Sequence, residues 1–260
     1  MKPRFFIFGL GYTASRIAAQ FKRDGWDVVS TGRDGTLTFD DAGNVRAALA
    51  ESSHVLSSVP PSGDGTDPVL ETYGDALGGK WLGYLSSTGV YGDTGGAWVD
   101  ESAATGSGRR TARAESDAVW LARGARVLRL PGIYGPGRSA LDRVREGKAH
   151  RIDLPGQVFS RVDVDDIVQG CTKALTAPSG AYNLADDAPG SQNAVIEEAC
   201  RLLGLEPPPL QSLEDADLGP MARAFYAENR RVANGKAKRV LGWRPRYPSY
   251  REGLRALLPA

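Results

Sequence analysis

Two hydrophobic periods alternate along the first half of the chain. Phe5-Phe6-Ile7-Phe8 is an unbroken apolar run, the pattern of a strand buried on both faces. After a glycine turn, Ala14, Ile17, Ala18 and Phe21 recur at i, i+3, i+4 and i+7, which predicts a helix with one stripe facing the core. Apolar runs at 26–29, 37–39, 54–59, 81–85 and 127–130 read as further strands, and helical spacing over 45–49, 68–77 and 111–122 fills the intervals. Asn44 is placed to cap the helix at 45–49, and Pro60-Pro61 ends the strand that runs up to Val59. Segments 62–67 and 92–108, rich in Gly, Ser, Thr and Asp, read as loops. Strands alternating with helices predict an α/β fold built on a doubly wound parallel sheet, with helices on both faces.

Beyond Pro131 the rhythm loosens. A loop at 132–137, short helices at 141–147 and 165–175, a strand at 182–184, a helix at 193–203, a stop at Pro207-Pro208-Pro209 and a last helix at 250–258 predict a small, mixed C-terminal lobe. The expected division is a dinucleotide-binding domain over 1–131, with 157–178 added to it, and a substrate-side lobe over 132–156 and 179–260. Ligands of open α/β sheets sit beyond the strand carboxyl ends, so this lobe closes over that crevice.

The glycine turn carries the first candidate chemistry. In Gly9-Leu10-Gly11-Tyr12-Thr13-Ala14, Gly9 permits the sharp exit from the strand, Gly11 lets the main chain touch a diphosphate, and Ala14 lets helix and strand pack closely. Phosphates are drawn to the bare N–H groups and positive dipole end of a helix N-terminus. This is the cradle of a Rossmann dinucleotide site, with Tyr12 and Thr13 in the same turn. NAD sites place Asp or Glu at the end of the second strand, whereas this chain has Thr31 and Arg33 there, so NADP is expected, with NAD as the alternative. Arg33 is the expected partner of the 2′-phosphate. Ser57-Ser58-Val59 is expected beneath the adenosine half or the diphosphate.

Composition narrows the partners. Among 260 residues, 32 Lys and Arg stand against 31 Asp and Glu, so no global field draws the chain to nucleic acid or an anionic membrane. No apolar stretch approaches the roughly 20 residues of a membrane span, and the N-terminal run is too short for a signal peptide. Cys171 and Cys200 have no Cys or His neighbour at metal-ligand spacing, and a reducing cytoplasm is expected. No metal is expected: Asp163, Asp165 and Asp166 surround a helix start, where carboxylates complement the dipole. His54 reads as a strand histidine, and no nucleophile elbow surrounds Ser86 or Ser87. Arg223, Arg230, Arg231, Lys236, Lys238, Arg239, Arg244 and Arg246 make the C-terminal part locally basic, a stripe suited to phosphates in the crevice or to a solvated face.

Four further segments together carry a resemblance. They are Leu85-Ser86-Ser87-Thr88-Gly89-Val90-Tyr91-Gly92, Val99-Asp100-Glu101, the run from Leu128 to Gly137 containing Tyr134-Gly135-Pro136-Gly137, and Arg161-Val162-Asp163-Val164-Asp165-Asp166-Ile167. In order and spacing they resemble the extended short-chain dehydrogenase/reductase superfamily, in its NAD-dependent epimerase/dehydratase branch. The glycine pattern is similar to that of an atypical subgroup. The resemblance implies hydride exchange on a sugar-like or phosphorylated small molecule, with a tyrosine as acid/base, a lysine lowering its pKa, and a Ser or Thr on the substrate oxygen. Ser87 stands at that Ser/Thr position, with Thr88 beside it.

The Tyr-x-x-x-Lys pair is absent, because no tyrosine is followed four residues later by lysine. Matching the family's trailing Glu to Glu115 puts Ser107 at the tyrosine position and Thr111 at the lysine position, and neither hydroxyl replaces a phenol. Three readings stay open. Tyr91 or Tyr134 reaches the crevice while Arg110 or Arg113 supplies the positive field; or the chain is a non-catalytic NADP(H)-binding sensor; or the arginines hold a substrate phosphate or carboxylate while Asp100 or Glu101 does the chemistry. The expected site is therefore Ser87, Thr88 and Tyr91 for catalysis, with Arg110, Arg113 and Tyr134 for substrate. A monomer, or a homodimer through the helices at 68–77 and 111–122, is expected.

Overall fold

The computed structural model describes residues 3–108 and 111–259. Strand β1 (Arg4–Phe8) leads into α1 (Tyr12–Arg23), β2 (Asp27–Ser30), α2 (Ala42–Ala50), β3 (His54–Ser57), α3 (Pro68–Tyr73) with a 3-10 turn at Gly74–Leu77, and β4 (Trp81–Ser87). A 3-10 turn at Thr88–Tyr91 precedes β5 (Trp98–Val99), α4 (Thr111–Ala122), β6 (Arg126–Leu130), β7 (Gly132–Tyr134), α5 (Ala140–Arg145) and β8 (Arg151–Ile152). Then follow β9 (Arg161–Asp163), α6 (Val164–Ala174), β10 (Gly180–Asn183), α7 (Gln192–Leu203), β11 (Leu210–Gln211), α8 (Pro220–Phe225), β12 (Arg231–Val232), a π turn at Ala237–Leu241, and α9 (Tyr250–Ala256).

Six strands form one parallel sheet in the order β10-β6-β4-β3-β1-β2. The chain runs outward from β1 to β2, then crosses back to β3 on the other side of β1. The β1/β3 junction is therefore the topological switch point, and the crevice opens beyond the carboxyl ends of these strands. This is the doubly wound Rossmann architecture, with a smaller mixed lobe.

The period of two in β1 divides the core. Phe5 and Ile7 face the Ala14, Ile17, Ala18 and Phe21 stripe of α1, in a layer shared with Ile167 and Cys171 of α6. Phe6 and Phe8 face the opposite layer, built from Val45 and Leu49 of α2, Tyr73, and Trp120 of α4. His54 lies among Phe5, Trp26 and Trp81, where burial followed by the Arg126 charge holds its pKa below the ordinary imidazole value. Tyr250 and Leu254 of α9 pack with Val195 and Ala199 of α7 in a separate apolar cluster.

The expected strand at 37–39 does not form. Only Leu37 makes a bridge, to Thr31, while Phe39 lies edge-on against Phe8 and Tyr73 as a cover for the core. The sheet thus ends at β2, because the turn through Gly32 and Gly35 directs the chain away from the pairing edge. Helix α2 starts before Asn44, and its cap is Asp41, whose carboxylate accepts the Asn44 backbone N–H at 3.3 Å. Within the expected loop 92–108, Trp98 and Val99 pair with β12. Among the described residues no helix is long and apolar enough to cross a membrane.

Phe8 is fully buried, with its ring centroid 4.7 Å from Phe6 and 5.4 Å from Tyr73. Phe8→Ala is expected to lower the unfolding free energy by about 3–5 kcal/mol, read from urea denaturation midpoints at unchanged m-value.

Candidate cofactor and substrate cleft

The turn from β1 into α1 is held from below and bare above. Gly9 has φ +80°, and a Cβ there would lie 2.9 Å from Val59 Cγ2 and 3.0 Å from Ser58 Oγ. Its N–H donates to Thr31 Oγ1 at 3.2 Å, and the Leu10 N–H donates to the Thr31 carbonyl at 2.9 Å. Gly11 is different: a Cβ there would meet nothing within 4 Å. No side chain caps α1, whereas Asp41, Asp67, Ser139, Asp163, Ser191 and Ser249 cap α2, α3, α5, α6, α7 and α9. The first-turn amides of α1 thus face the crevice without a protein acceptor supplied by a cap.

A cavity of about 920 Å³ occupies this crevice. Of the residues singled out from sequence, Gly11, Tyr12, Thr13, Ala14, Ser58, Ser87, Thr88 and Arg113 line it. Gly9, Thr31, Ser57 and Val59 form the wall behind the turn. Arg33 is exposed on the turn after β2, at the strand's carboxyl end. Tyr12 reaches across the crevice: its hydroxyl donates to the Pro136 carbonyl at 3.1 Å, and the Arg16 guanidinium lies 4.0 Å from its ring centroid.

Two tyrosines expected at the site lie elsewhere. Tyr91 is buried; its hydroxyl donates to Asn183 Oδ1 at 2.8 Å and accepts from Arg129 at 2.9 Å. Burial raises its pKa, and the Arg129 charge opposes that rise. The Tyr134 hydroxyl is buried without a partner against Gly253, and its pKa is driven strongly upward by burial and by Asp163 and Asp186. Neither lines the main cavity. Arg110 falls outside the described residues. Of the carboxylates considered, Asp100 accepts from Ser102, and Glu101 accepts the Asn183 backbone N–H at 2.7 Å.

The cavity floor rests on a buried ion pair. Arg129 donates to both Asp117 oxygens, at 3.0 and 2.6 Å, and Ser86 Oγ donates to Asp117 Oδ2 at 2.6 Å. Ser87, the next residue, accepts the Gly89 N–H at 3.1 Å.

Apart from Arg230, which belongs to the basic stripe expected at the crevice, the cations on the outer half of the cavity were not foreseen. Arg138, Arg143, His150, Arg161 and Arg230 line it, with Glu228 as the carboxylate among them, 2.9 Å from Arg230. Arg161 is 7% exposed and donates to the carbonyls of Phe159, Gly190 and Ser191 and to Gln192 Oε1. Behind it Asp186 has one oxygen accepting from the Ala188 N–H and the other unpartnered, and burial pushes its carboxyl up to about 7 against the Arg161 charge. Asp163 caps α6, and among the described residues no carboxylate, His or Cys cluster suits a metal. No sequence period connects these cations, which come from the stretch 138–150, from Arg161 and from Arg230.

No protein-family model matches the chain. It is 28% identical over 282 residues to Protein YeeZ of Escherichia coli (strain K12), covering 93% of this chain and 95% of the relative. A solved structure of a functionally unknown conserved protein from Silicibacter pomeroyi matches with TM-score 0.87 and 39% identity, covering 98% of each chain. The dTDP-glucose 4,6-dehydratase of Bacillus anthracis, solved in complex with NAD, matches with TM-score 0.78 and 17% identity over 97% of this chain and 94% of that one. The fold is that of the NAD-dependent epimerase/dehydratase structures, which this chain resembles at low sequence identity.

Against that family's pattern, the match to Glu115 requires correction. Glu115 and Thr111 are exposed, and the carboxylate of α4 that faces the sheet is Asp117. Counting back from Asp117 by the same spacing puts Arg113 at the lysine position and residue 109, outside the described residues, at the tyrosine position. Arg113 does face the cleft, donating to the Tyr84 hydroxyl at 3.3 Å and the Leu85 carbonyl at 3.5 Å. The sequence signal for this register was the i, i+4, i+7 stripe of Arg113, Asp117 and Trp120.

A carboxyl whose folded pKa is raised adds stability that is fully present below about pH 4 and is lost as the pH rises through about 7. Asp186 is such a group. Thermal melts of the wild type are expected to decline from about pH 5 to about pH 8 more steeply than those of Asp186→Asn; equal slopes would contradict the assignment.

Proposed function

We propose that the chain binds NADP(H) in this cleft and acts as an oxidoreductase or epimerase-like enzyme on a sugar-like or phosphorylated small molecule. The observation that carries the reading is the uncapped N-terminus of α1, opening at Gly11 onto the cavity beside Ser87 and Thr88. A pyridine coenzyme, when bound, supplies a hydride donor or acceptor. The residues present fit its diphosphate: the amides of 11–14 are bare, the Gly11 position is open where a Cβ would intrude, and the dipole favours an anion there.

The other residues follow from this placement. Thr31 and Arg33, at the carboxyl end of β2, take the adenosine ribose and its 2′-phosphate, which favours NADP. Ser58 lies under the diphosphate. Ser87 and Thr88 hydrogen-bond the substrate oxygen, and Arg113 stabilises charge near it. Residues 132–156 and the part of 179–260 beyond β10 supply the substrate side, where Arg138 and Arg143, with Arg161 of the adjoining β9, suit a phosphate or carboxylate. The dTDP-glucose dehydratase named above acts on a nucleotide sugar, a substrate of the same charge class.

A second reading has a specific observation in its favour. From Ser107 to Arg113 the chain offers only hydroxyls, arginines, glycine and alanine, so no side chain there is a proton donor near neutral pH. This supports a non-catalytic NADP(H)-binding sensor. Screening sugar phosphates and nucleotide sugars for a change in nicotinamide absorbance, with product analysis to catch internally recycled coenzyme, separates the two.

Gly11→Val is expected to melt close to the wild type yet bind NADPH at least about tenfold more weakly by calorimetry, because the added atoms occupy the approach to the amides. Arg33→Ala is expected to weaken NADPH by about tenfold while leaving NADH unchanged. Equal losses for both coenzymes would remove Arg33 from the 2′-phosphate.

A further inference from the structure

Arg113 is the cation of the cleft that lies on α4, beside Ser87 and Thr88. Its guanidinium lies at the carboxyl end of β4, bonded to the Tyr84 hydroxyl and the Leu85 carbonyl, and it lines the cavity with Ser58, Ser87 and Thr88. Neutral oxygens are its only hydrogen-bond partners among the described residues. Asp117, one turn further along α4, is held by Arg129 and Ser86, and Asp67 is held by the Trp120 indole and the first amides of α3. The charge of Arg113 therefore has no carboxylate paired to it within the described protein.

The topology says which end of a dinucleotide would meet that charge. With the diphosphate on the N-terminus of α1, the adenosine half lies toward β2. The remaining half must then run the other way, over the carboxyl ends of β3 and β4, where Ser58, Ser87 and Arg113 are. The two redox forms of the coenzyme have the same shape there to first order but differ by one unit of charge on the ring: the oxidised ring is cationic and the reduced ring neutral.

We infer that Arg113 makes this cleft select the reduced over the oxidised coenzyme. The inference rests on the coenzyme reading above and adds a direction to it. A guanidinium is permanently charged, so the bias does not titrate away near neutral pH as that of a histidine would. At a separation of several ångströms in a partly solvated cleft, one such charge shifts the ratio of the two dissociation constants by about tenfold or more. The site then loads with reducing equivalents in preference to releasing them, and the bound couple has a raised potential. A lysine-like point charge meets the same requirement, whereas a proton-donating side chain does not. The structure thus supports a coenzyme-reduced resting complex.

The test needs no substrate. Dissociation constants for NADPH, NADP⁺, NADH and NAD⁺ are measured by calorimetry on the wild type, Arg113→Gln and Arg113→Lys, with circular dichroism confirming the fold. The wild type is expected to bind each reduced form about tenfold or more tightly than its oxidised partner. Arg113→Lys should keep that ratio, and Arg113→Gln should bring it toward one, mainly by tighter binding of the oxidised form. Arg113→Met, which keeps the aliphatic stem, replaces the Gln variant if the latter does not fold. A wild-type ratio near one, or a ratio unchanged in the neutral variants, overturns the inference while leaving the coenzyme site standing. Absence of binding by all four coenzymes overturns both.

Discussion

An ion pair sealed inside the protein is the constraint on which the cleft depends. Asp117 and Arg129 are 2.6 Å apart with side chains 2% and 4% exposed, and they join α4 to β6 at the level where β4 ends. Neither charge is tolerable alone: removing one partner from such a pair typically costs about 3–5 kcal/mol, because the other is left buried without compensation. The remaining lone pairs and protons are used as well. Ser86 takes one carboxylate oxygen, Tyr91 takes one guanidinium nitrogen, and Asn183 of β10 accepts from Tyr91. The network spans three adjacent strands, β4, β6 and β10, and holds the backbone from Ser86 to Thr88 in one position.

That network explains the charge layout of the cavity. Because Asp117 is occupied, Arg113 faces the cleft uncompensated, and because Tyr91 completes the pair, its hydroxyl is unavailable to a ligand. The outer half is built on another rule, with Arg161 held by backbone carbonyls rather than carboxylates. Carbonyl dipoles orient a guanidinium without neutralising it, so the cation keeps its attraction for an external anion. Both halves of the cleft are positive, while the whole chain carries a formal charge of only +1.

How far this was legible in the sequence depends on the distance over which each choice is made. The β1–α1 unit was plain, since an apolar run, a glycine turn and a 3.6-residue stripe are local signals and tertiary packing uses them unchanged. The run at 37–39 misled because Leu37 and Phe39 look the same whether they pair with a strand or cover a core, and the turn through Gly32 decided for covering. The register of α4 misled for a related reason. Two carboxylates two residues apart, Glu115 and Asp117, differ by about 200° around a helix, and only the position of Arg129 on a strand shows which one turns inward.

The amino-acid sequence by itself determined the alternating α/β architecture and the bare glycine turn, because both follow from backbone geometry and from periods of two and 3.6 residues. Only the tertiary structure decided that Tyr91 and Tyr134 turn away from the cavity, that Arg113 turns toward it, and that arginines from separate segments meet at its mouth. Those outcomes depend on which buried charges find partners, and the partners lie on strands and helices far apart along the chain.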